Sequence, residues 1–318
     1  MRITANITAD NSLYNIQQGR AKLDKINEQI TSENVINRPS DDPINSRLLL
    51  DIGDKVKTTD QYTSNITKSS TWQQFTSTAL TGMSDTMQQV RTLTSSISDG
   101  ITDPAFRNSV VLQLQSLKQQ MIDMGNTQMG DQYIFGGAKN TTPPFTNSPA
   151  QLPPPALQNP AFSFYSGDES SLKVQIGNSA APMSMNIPGN QILTANTAAS
   201  QPYGTINILQ TFDNLIYAVQ GNDVNGATGI QASSKVLETA SKQIFNAVTD
   251  VGSRVARLDS FSKMNANTRS TLMTVYSNTQ NADLAKLGVE LSNQTTAFNA
   301  SLSATAKISQ MSLLNYLP

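Results

Sequence analysis

The sequence predicts a mainly α-helical protein. Two long arms, from the N- and C-terminal parts of the chain, form an antiparallel helical rod or bundle with a small all-β domain inserted between them. Seven of the 14 prolines lie at positions 143–160, and none lies at 44–103 or 203–317. Because proline removes a backbone donor and kinks helices, only the proline-free arms can form long helices. Apolar residues recur at helical spacing in the arms and alternate in the middle.

The N-terminal arm contains three predicted helices. The first carries a narrow apolar stripe of heptad type, formed by Leu13, Ile16, Leu23, Ile26 and Ile30. The second runs from about 44 to 98, and the third from about 106 to 124. Asp42-Pro43 and Asp103-Pro104 mark two helix starts, since Asp caps orphan N–H groups and proline suits the first helical position.

The middle of the chain changes to a period of two. Alternation predicts short, half-buried strands at Phe162–Phe164, Leu172–Ile176 and Met183–Ile187. We therefore expect a small β domain at about 140–203.

The C-terminal arm begins with a helix around 209–219, followed by a loop at 221–229. A proline-free stretch from about 230 to 309 follows, which can form one helix of roughly 120 Å unless Gly252 or Gly288 breaks it. A second heptad-type stripe contains Leu284, Leu287, Leu291, Phe298 and Leu302. The predicted segments are 1–35 and 285–318 (terminal helices), 36–139 and 204–284 (arms), and 140–203 (β domain).

The composition of the chain argues against most kinds of catalytic and metal site. The chain has neither Cys nor His, which excludes thiolate nucleophiles, imidazole zinc sites and Ser-His-Asp hydrolysis. Asp41-Asp42 and Asp168-Glu169 are adjacent pairs that point apart, so we interpret them as a cap and a turn. We expect no enzyme activity, no cofactor and no metal.

Charge and hydropathy also limit the partners. The net charge is −1 and the basic residues are dispersed, so no basic face predicts nucleic-acid binding. No apolar run approaches the roughly 18 residues of a membrane span, so we expect no membrane insertion. The N-terminal sequence has no apolar core of the kind found in a signal peptide. The sequence is compatible with a cytoplasmic protein or with export by a route that leaves no cleaved signal.

The two terminal stripes allow two interpretations. A heptad seam indicates a partner helix, so the chain ends either pair with each other or pack against neighbouring subunits. Both arrangements can hold for one helix, because weakly charged, amide-rich helices suit packing on several sides. Periodicity alone gives some preference to pairing within one molecule.

Several passages together resemble the hook-associated proteins of the flagellin superfamily, most closely the hook–filament junction type numbered three. Asn37, Arg38, Pro39, Ser40, Asp41, Asp42 and Pro43 resemble that family's motif after the first helix. The stretches 1–18, 130–145, 251–258 and 283–314 are also similar to family segments. The last four residues depart from a filament flagellin ending, which favours the junction type.

The resemblance implies a structural adaptor at the bacterial hook–filament junction. Implied partners are a hook-side junction protein, flagellin, further copies in a ring and a cytoplasmic export chaperone. The implied location is extracellular, on the flagellum, after type III export without a cleaved signal. The implied subunit-interface residues are Ile3, Ile7, Leu13, Ile16, Leu23, Ile26, Ile30, Leu287, Leu291, Phe298, Leu302, Ile308, Leu313, Leu314 and Leu317. The implied chaperone site is Leu291, Phe298, Leu302 and Ile308.

Two alternatives stay open. A filament-forming flagellin would polymerise from its own seeds, whereas a junction protein would need a hook tip. A secreted coiled-coil effector would bind cells or liposomes, but the chain offers no apolar hairpin for that role.

Overall fold

The structure, a computed structural model, describes residues 2–101, 103–146, 165–178, 180–194 and 202–314, with side chains from residue 10 to residue 307. These residues contain six α-helices, which confirms the mainly helical prediction. They are α1 (Arg2–Ser32), α2 (Pro43–Ser96), α3 (Pro104–Gly125), α4 (Ile208–Gly221), α5 (Ile230–Gln280) and α6 (Leu284–Leu314).

The β insert is smaller in its regular structure than the alternation predicted. Strands β1 (Gln128–Met129) and β2 (Gln132–Tyr133) form one antiparallel hairpin, which the sequence analysis did not predict. Strands β3 (Lys173–Val174) and β4 (Met183–Ser184) form another. The longer predicted strands are therefore wrong in extent, because much of the insert's backbone bonds to side chains instead. The predicted Phe162–Phe164 strand lies outside the described residues.

The chain divides into two compact units. One contains residues 1–60 and 267–318, and the other contains residues 61–266. In the first unit α1 packs along α6. In the second, α3 packs on α4. The five predicted segments are not tested by this division and stay a prediction.

The 61–266 unit has a continuous apolar core. Trp72, Met83, Met87 and Met121 are fully buried there. Apolar residues of α4 and α5 join the same cluster. The helical periodicity of the arms is therefore satisfied mainly by packing, which supplies most helical stability in proteins.

Neither Gly252 nor Gly288 breaks a helix in the C-terminal arm. α5 continues through Gly252, α6 continues through Gly288, and the chain breaks between Gln280 and Leu284 instead. Nothing lies within 4 Å of a Cβ placed at either glycine. A helix interior tolerates glycine at a cost of about 1 kcal/mol, which does not end a long packed helix. The new helix starts because the Asp283 carboxylate accepts the N–H groups of its first turn.

Both Asp-Pro helix starts are confirmed. Asp103 adopts an extended backbone, and its carboxylate accepts the Ala105 N–H at the start of α3. Asp42 Oδ1 accepts the N–H groups of Ile44 and Asn45 at the start of α2, at 3.1 and 3.0 Å. These bonds satisfy donors that a helix leaves without intrahelical partners.

Candidate subunit interface

The two terminal helices pair with each other within the chain. Ile26 and Leu287 are buried in this unit. A second group is half-buried: Ile16, Leu23, Ile30, Leu291 and Phe298. The interpretation in which the terminal stripes meet inside one molecule therefore accounts for much of their apolar surface.

Gly19 is a point of close approach between the two terminal helices. A Cβ at this position would lie 3.1 Å from Phe298 Cδ2. The Gln294 side-chain amide donates to the Gly19 carbonyl at 3.4 Å. The absence of a side chain at Gly19 therefore leaves room for the Phe298 ring against α1.

Pairing leaves part of the apolar surface exposed. Leu13 is 56% exposed and Leu302 is 41% exposed. Two apolar residues outside the predicted stripes, Tyr14 and Val289, are also exposed. Long helices with uncovered apolar side chains on both members of the pair offer surface for further packing.

The remaining predicted interface residues are less fully described. Ile3, Ile7, Ile308, Leu313 and Leu314 fall within α1 and α6, but their side chains lie outside the described residues. Leu317 lies outside the described residues altogether. Of the predicted chaperone site, Leu291, Phe298 and Leu302 follow one another along α6 at spacings of seven and four.

The 37–43 motif braces the connection between α1 and α2. Asp41 Oδ2 accepts the backbone N–H groups of Asn37 and Arg38, and its Oδ1 lies 3.1 Å from the Lys25 ammonium on α1. The Arg38 guanidinium contacts Glu28, also on α1, at 3.1 Å. The motif thus folds back onto the preceding helix.

Hydrogen bonding perturbs both motif carboxylates. The Lys25 ammonium and the Arg38 backbone N–H lower the pKa of Asp41. The backbone N–H and side-chain amide of Asn45 lower the pKa of Asp42. Both groups stay ionised at neutral pH as structural acceptors. This agrees with their interpretation as loop and cap residues rather than as a catalytic pair.

Sequence reasoning missed how the helices hold the β insert. Within the 61–266 unit, amide side chains of α2 and α5 donate to the insert's backbone carbonyls. Asn65 donates to Gln175, Gln73 to Met185, and Asn265 to Ile176, at 2.9, 2.7 and 3.2 Å. The abundance of amides was visible in the sequence, but no periodic signal marks which of them face inward.

Arg254, within the predicted family stretch 251–258, fastens the same insert. Its guanidinium donates to the carbonyls of Ser184 and Asn186 at 3.1 and 3.2 Å. Asp250 pairs with it at 2.8 Å, and the Tyr203 hydroxyl donates to the same carboxylate at 2.6 Å. The Arg254, Asp250 and Tyr203 side chains are thus used to hold the end of β4. We interpret their role as structural.

The described residues offer neither a metal site nor a membrane span. No cluster of acidic residues among them has the grouping needed to hold a metal ion. Within the same residues, no helix is long and apolar enough to span a bilayer.

The fold is that of a helical chain whose two terminal helices pair and leave apolar side chains exposed. The family model described as the bacterial flagellin N-terminal helical region matches residues 3–140. The model of the bacterial flagellin C-terminal helical region matches residues 234–317. The chain therefore belongs to the flagellin superfamily.

Within this superfamily, the chain is similar to several flagellar hook-associated proteins. The chain is 22% identical to flagellar hook-associated protein 3 of Salmonella typhimurium over 280 residues, 84% of each protein. A putative flagellar hook-associated protein from Vibrio parahaemolyticus has a similar fold, with a TM-score of 0.62 and 20% identity, over 76% of this chain and 100% of that one. The flagellar junction protein FlgL from Legionella pneumophila aligns with a TM-score of 0.55 and 13% identity, over 75% of this chain and 100% of that one.

Proposed function

We propose that this chain is a hook–filament junction protein: a structural adaptor that connects a hook-side junction protein to flagellin. The observation that carries the proposal is the α1–α6 pair, which leaves Leu13 and Leu302 exposed in a flagellin-superfamily chain. A subunit of an axial assembly needs such a surface, since burying it against neighbours drives association. The name of the Salmonella relative supports the junction type.

The finer parts of the proposal concern partners and route. We place further copies of the chain beside one another in a ring, with α1 and α6 as the contacting elements. A cytoplasmic export chaperone would take the place of α1 on the α6 stripe at Leu291, Phe298, Leu302 and Ile308 until export, because the stripe would promote aggregation if it were uncovered. Export would proceed without a cleaved signal, and the protein would remain outside the cell on the flagellum.

A gene deletion in the source bacterium tests the adaptor role. We expect hooks without filaments by electron microscopy, together with flagellin monomer in the culture supernatant. Hooks without filaments, and with no flagellin on the cells or in the culture supernatant, would instead identify the chain as the filament subunit. Normal filaments would refute both roles.

Complementation then tests the surface. Leu13→Asp and Leu302→Asp place a charge on exposed positions of the terminal helices, so the subunit should fold while filament formation fails. Leu112→Asp on α3 is the matched control, since Leu112 is 66% exposed and lies in the 61–266 unit. Full motility with either terminal-helix variant would contradict the proposed interface.

A further inference from the structure

The two helix breaks of the 1–60 and 267–318 unit are joined by backbone hydrogen bonds. The Val35 N–H, in the α1–α2 connection, donates to the Gln280 carbonyl at 2.7 Å. The Ala282 N–H, in the α5–α6 connection, donates to the Glu33 carbonyl at 2.8 Å. Segments almost 250 positions apart in the sequence therefore pair at the point where both helices stop.

The pairing has the geometry of a short antiparallel ladder. Asn34 and Asn281 face each other as a bridge between these two hydrogen bonds. Because neither Asn bonds directly to the other's backbone, they occupy a non-hydrogen-bonded position, where Cα atoms lie about 4.5 Å apart. We call residues 33–35 and 280–282 the paired break.

The backbone of Glu33 indicates that neighbouring contacts hold the paired break in its conformation. Its φ is +58°, in the left-handed region that glycine usually occupies after a helix. Residues other than glycine adopt this conformation at a cost, and they persist in it where neighbouring contacts fix the backbone. Here the left-handed turn ends α1 while the Glu33 carbonyl accepts the bond from Ala282.

Each side of the paired break is anchored to its own helix. The Gln29 side-chain amide on α1 donates to the Val35 carbonyl at 2.8 Å. The Asp283 carboxylate accepts the N–H groups of Ala285 and Lys286, which open α6. Hydrogen bonds and short chain connections therefore link the ladder to the last turn of α1 and to the first turn of α6.

We infer that the paired break is one cooperative joint, so the end of α1 and the start of α6 open and close together. The two chain connections would then act as a single hinge rather than as two independent loops. This inference rests on backbone geometry alone and stands whether or not the chain is a junction protein.

Hydrogen exchange on the full chain with Ala282→Pro tests the coupling. Proline removes the donor to Glu33, and the extended backbone of the preceding residue in the bridge suits it. Ala282→Ser keeps the N–H and is the matched control. For a coupled joint we expect exchange to accelerate about fivefold, as for one lost hydrogen bond, at the Val35 amide and in the last turn of α1. Acceleration confined to the start of α6 would overturn the inference.

A disulfide provides an independent test. The chain has no cysteine, so Asn34→Cys with Asn281→Cys introduces one defined pair, and facing bridge positions meet the distance requirement for a disulfide. Oxidation should slow exchange in the last turn of α1 and the first turn of α6 to a similar degree. The reduced form of the same variant is the control. A disulfide that fails to form, or that protects one helix end only, would refute a single joint.

Discussion

Breaking the ion pair between Lys118 on α3 and Asp213 on α4 is expected to destabilise the 61–266 unit strongly. The Lys118 ammonium donates to Asp213 Oδ1 at 2.6 Å, and both side chains are only 5% exposed. The second carboxylate oxygen of Asp213 is buried without a hydrogen-bond partner. Asp213→Ala would remove the carboxylate that the buried Lys118 ammonium contacts. Lys118→Met would remove the cation from the buried Asp213 carboxylate.

The expected loss for either single variant is about 3–5 kcal/mol, the usual effect of removing one partner from a buried pair. Replacing both residues, as in Lys118→Met with Asp213→Leu, removes both desolvation penalties and should be neutral or stabilising. For a unit of this size, each kcal/mol shifts Tm by about 2–4 °C. The single variants should therefore melt about 6–20 °C lower, with the double variant at or above wild type.

Trp72 makes the measurement selective. It is the only tryptophan in the chain and is buried in the core of the 61–266 unit, so its fluorescence during urea or thermal unfolding reports on that unit. If the double variant is as unstable as the single variants, the pair stabilises the fold by itself. That result would refute the reasoning from desolvation.

The pH dependence provides a second check on the same pair. Burial raises the pKa of Asp213 above its ordinary 3.8, and the opposing effect of Lys118 does not cancel it. A raised pKa means that the folded state binds the proton more tightly than the unfolded state. This contribution to stability is present below pH 3.8 and disappears as the pH rises through the folded-state pKa. Asp213→Asn should abolish this component.

Three further predictions concern the other contacts. Gly19→Val should crowd Phe298 and destabilise the α1–α6 pair by about 1–3 kcal/mol, measurable by hydrogen exchange along both helices; unchanged exchange would contradict the close approach. The pKa of Asp42 is lowered in the folded protein. The Asp42 cap should therefore stabilise α2 at a pH above the ordinary pKa of Asp, and this stabilisation should be lost as the pH falls through the lowered pKa. Asp42→Asn should still cap α2, but its helix content should not respond to pH in this way. Arg254→Met should destabilise the attachment of the β insert by about 3–6 kcal/mol, measured by chemical denaturation, because two hydrogen bonds from a charged donor are lost. Arg254→Lys, with a smaller loss, is its control.

The sequence predicts the elements that local chemistry determines. The Asp-Pro pairs predict both helix starts, because a carboxylate cap and a proline at the first helical position act within one turn. The helical arms were predictable for a similar reason, since their apolar spacing repeats over many residues. For the two terminal stripes, periodicity favoured internal pairing but left packing against neighbouring subunits open, and the structure shows the internal pairing.

The features that escaped prediction depend on long-range contacts. The break before α6 is determined by the capping carboxylate of Asp283 and by a backbone ladder to residues 33–35, whereas glycine content alone pointed to Gly252 and Gly288. The insert's short strands escaped for the same reason. Amides from distant positions, such as Asn65 and Gln73 of α2, replace the strand partners that an alternating pattern predicts.

The unusual composition also has a structural explanation. Ser, Thr, Asn and Gln make up roughly two-fifths of the chain, well above ordinary usage. On the terminal helices, many hydroxyls donate to a carbonyl four residues earlier on their own helix: Thr31, Thr295, Thr296, Ser303 and Thr305. A polar group that is already hydrogen-bonded costs less to bury than an unpaired group or a charge. Helices whose surface hydroxyls are bonded to their own backbone can be covered on several sides by neighbouring helices without leaving unpaired donors. A charged helix face would cost more free energy to bury in the same way. The low charge of the chain is thus what repeated helix-to-helix packing requires.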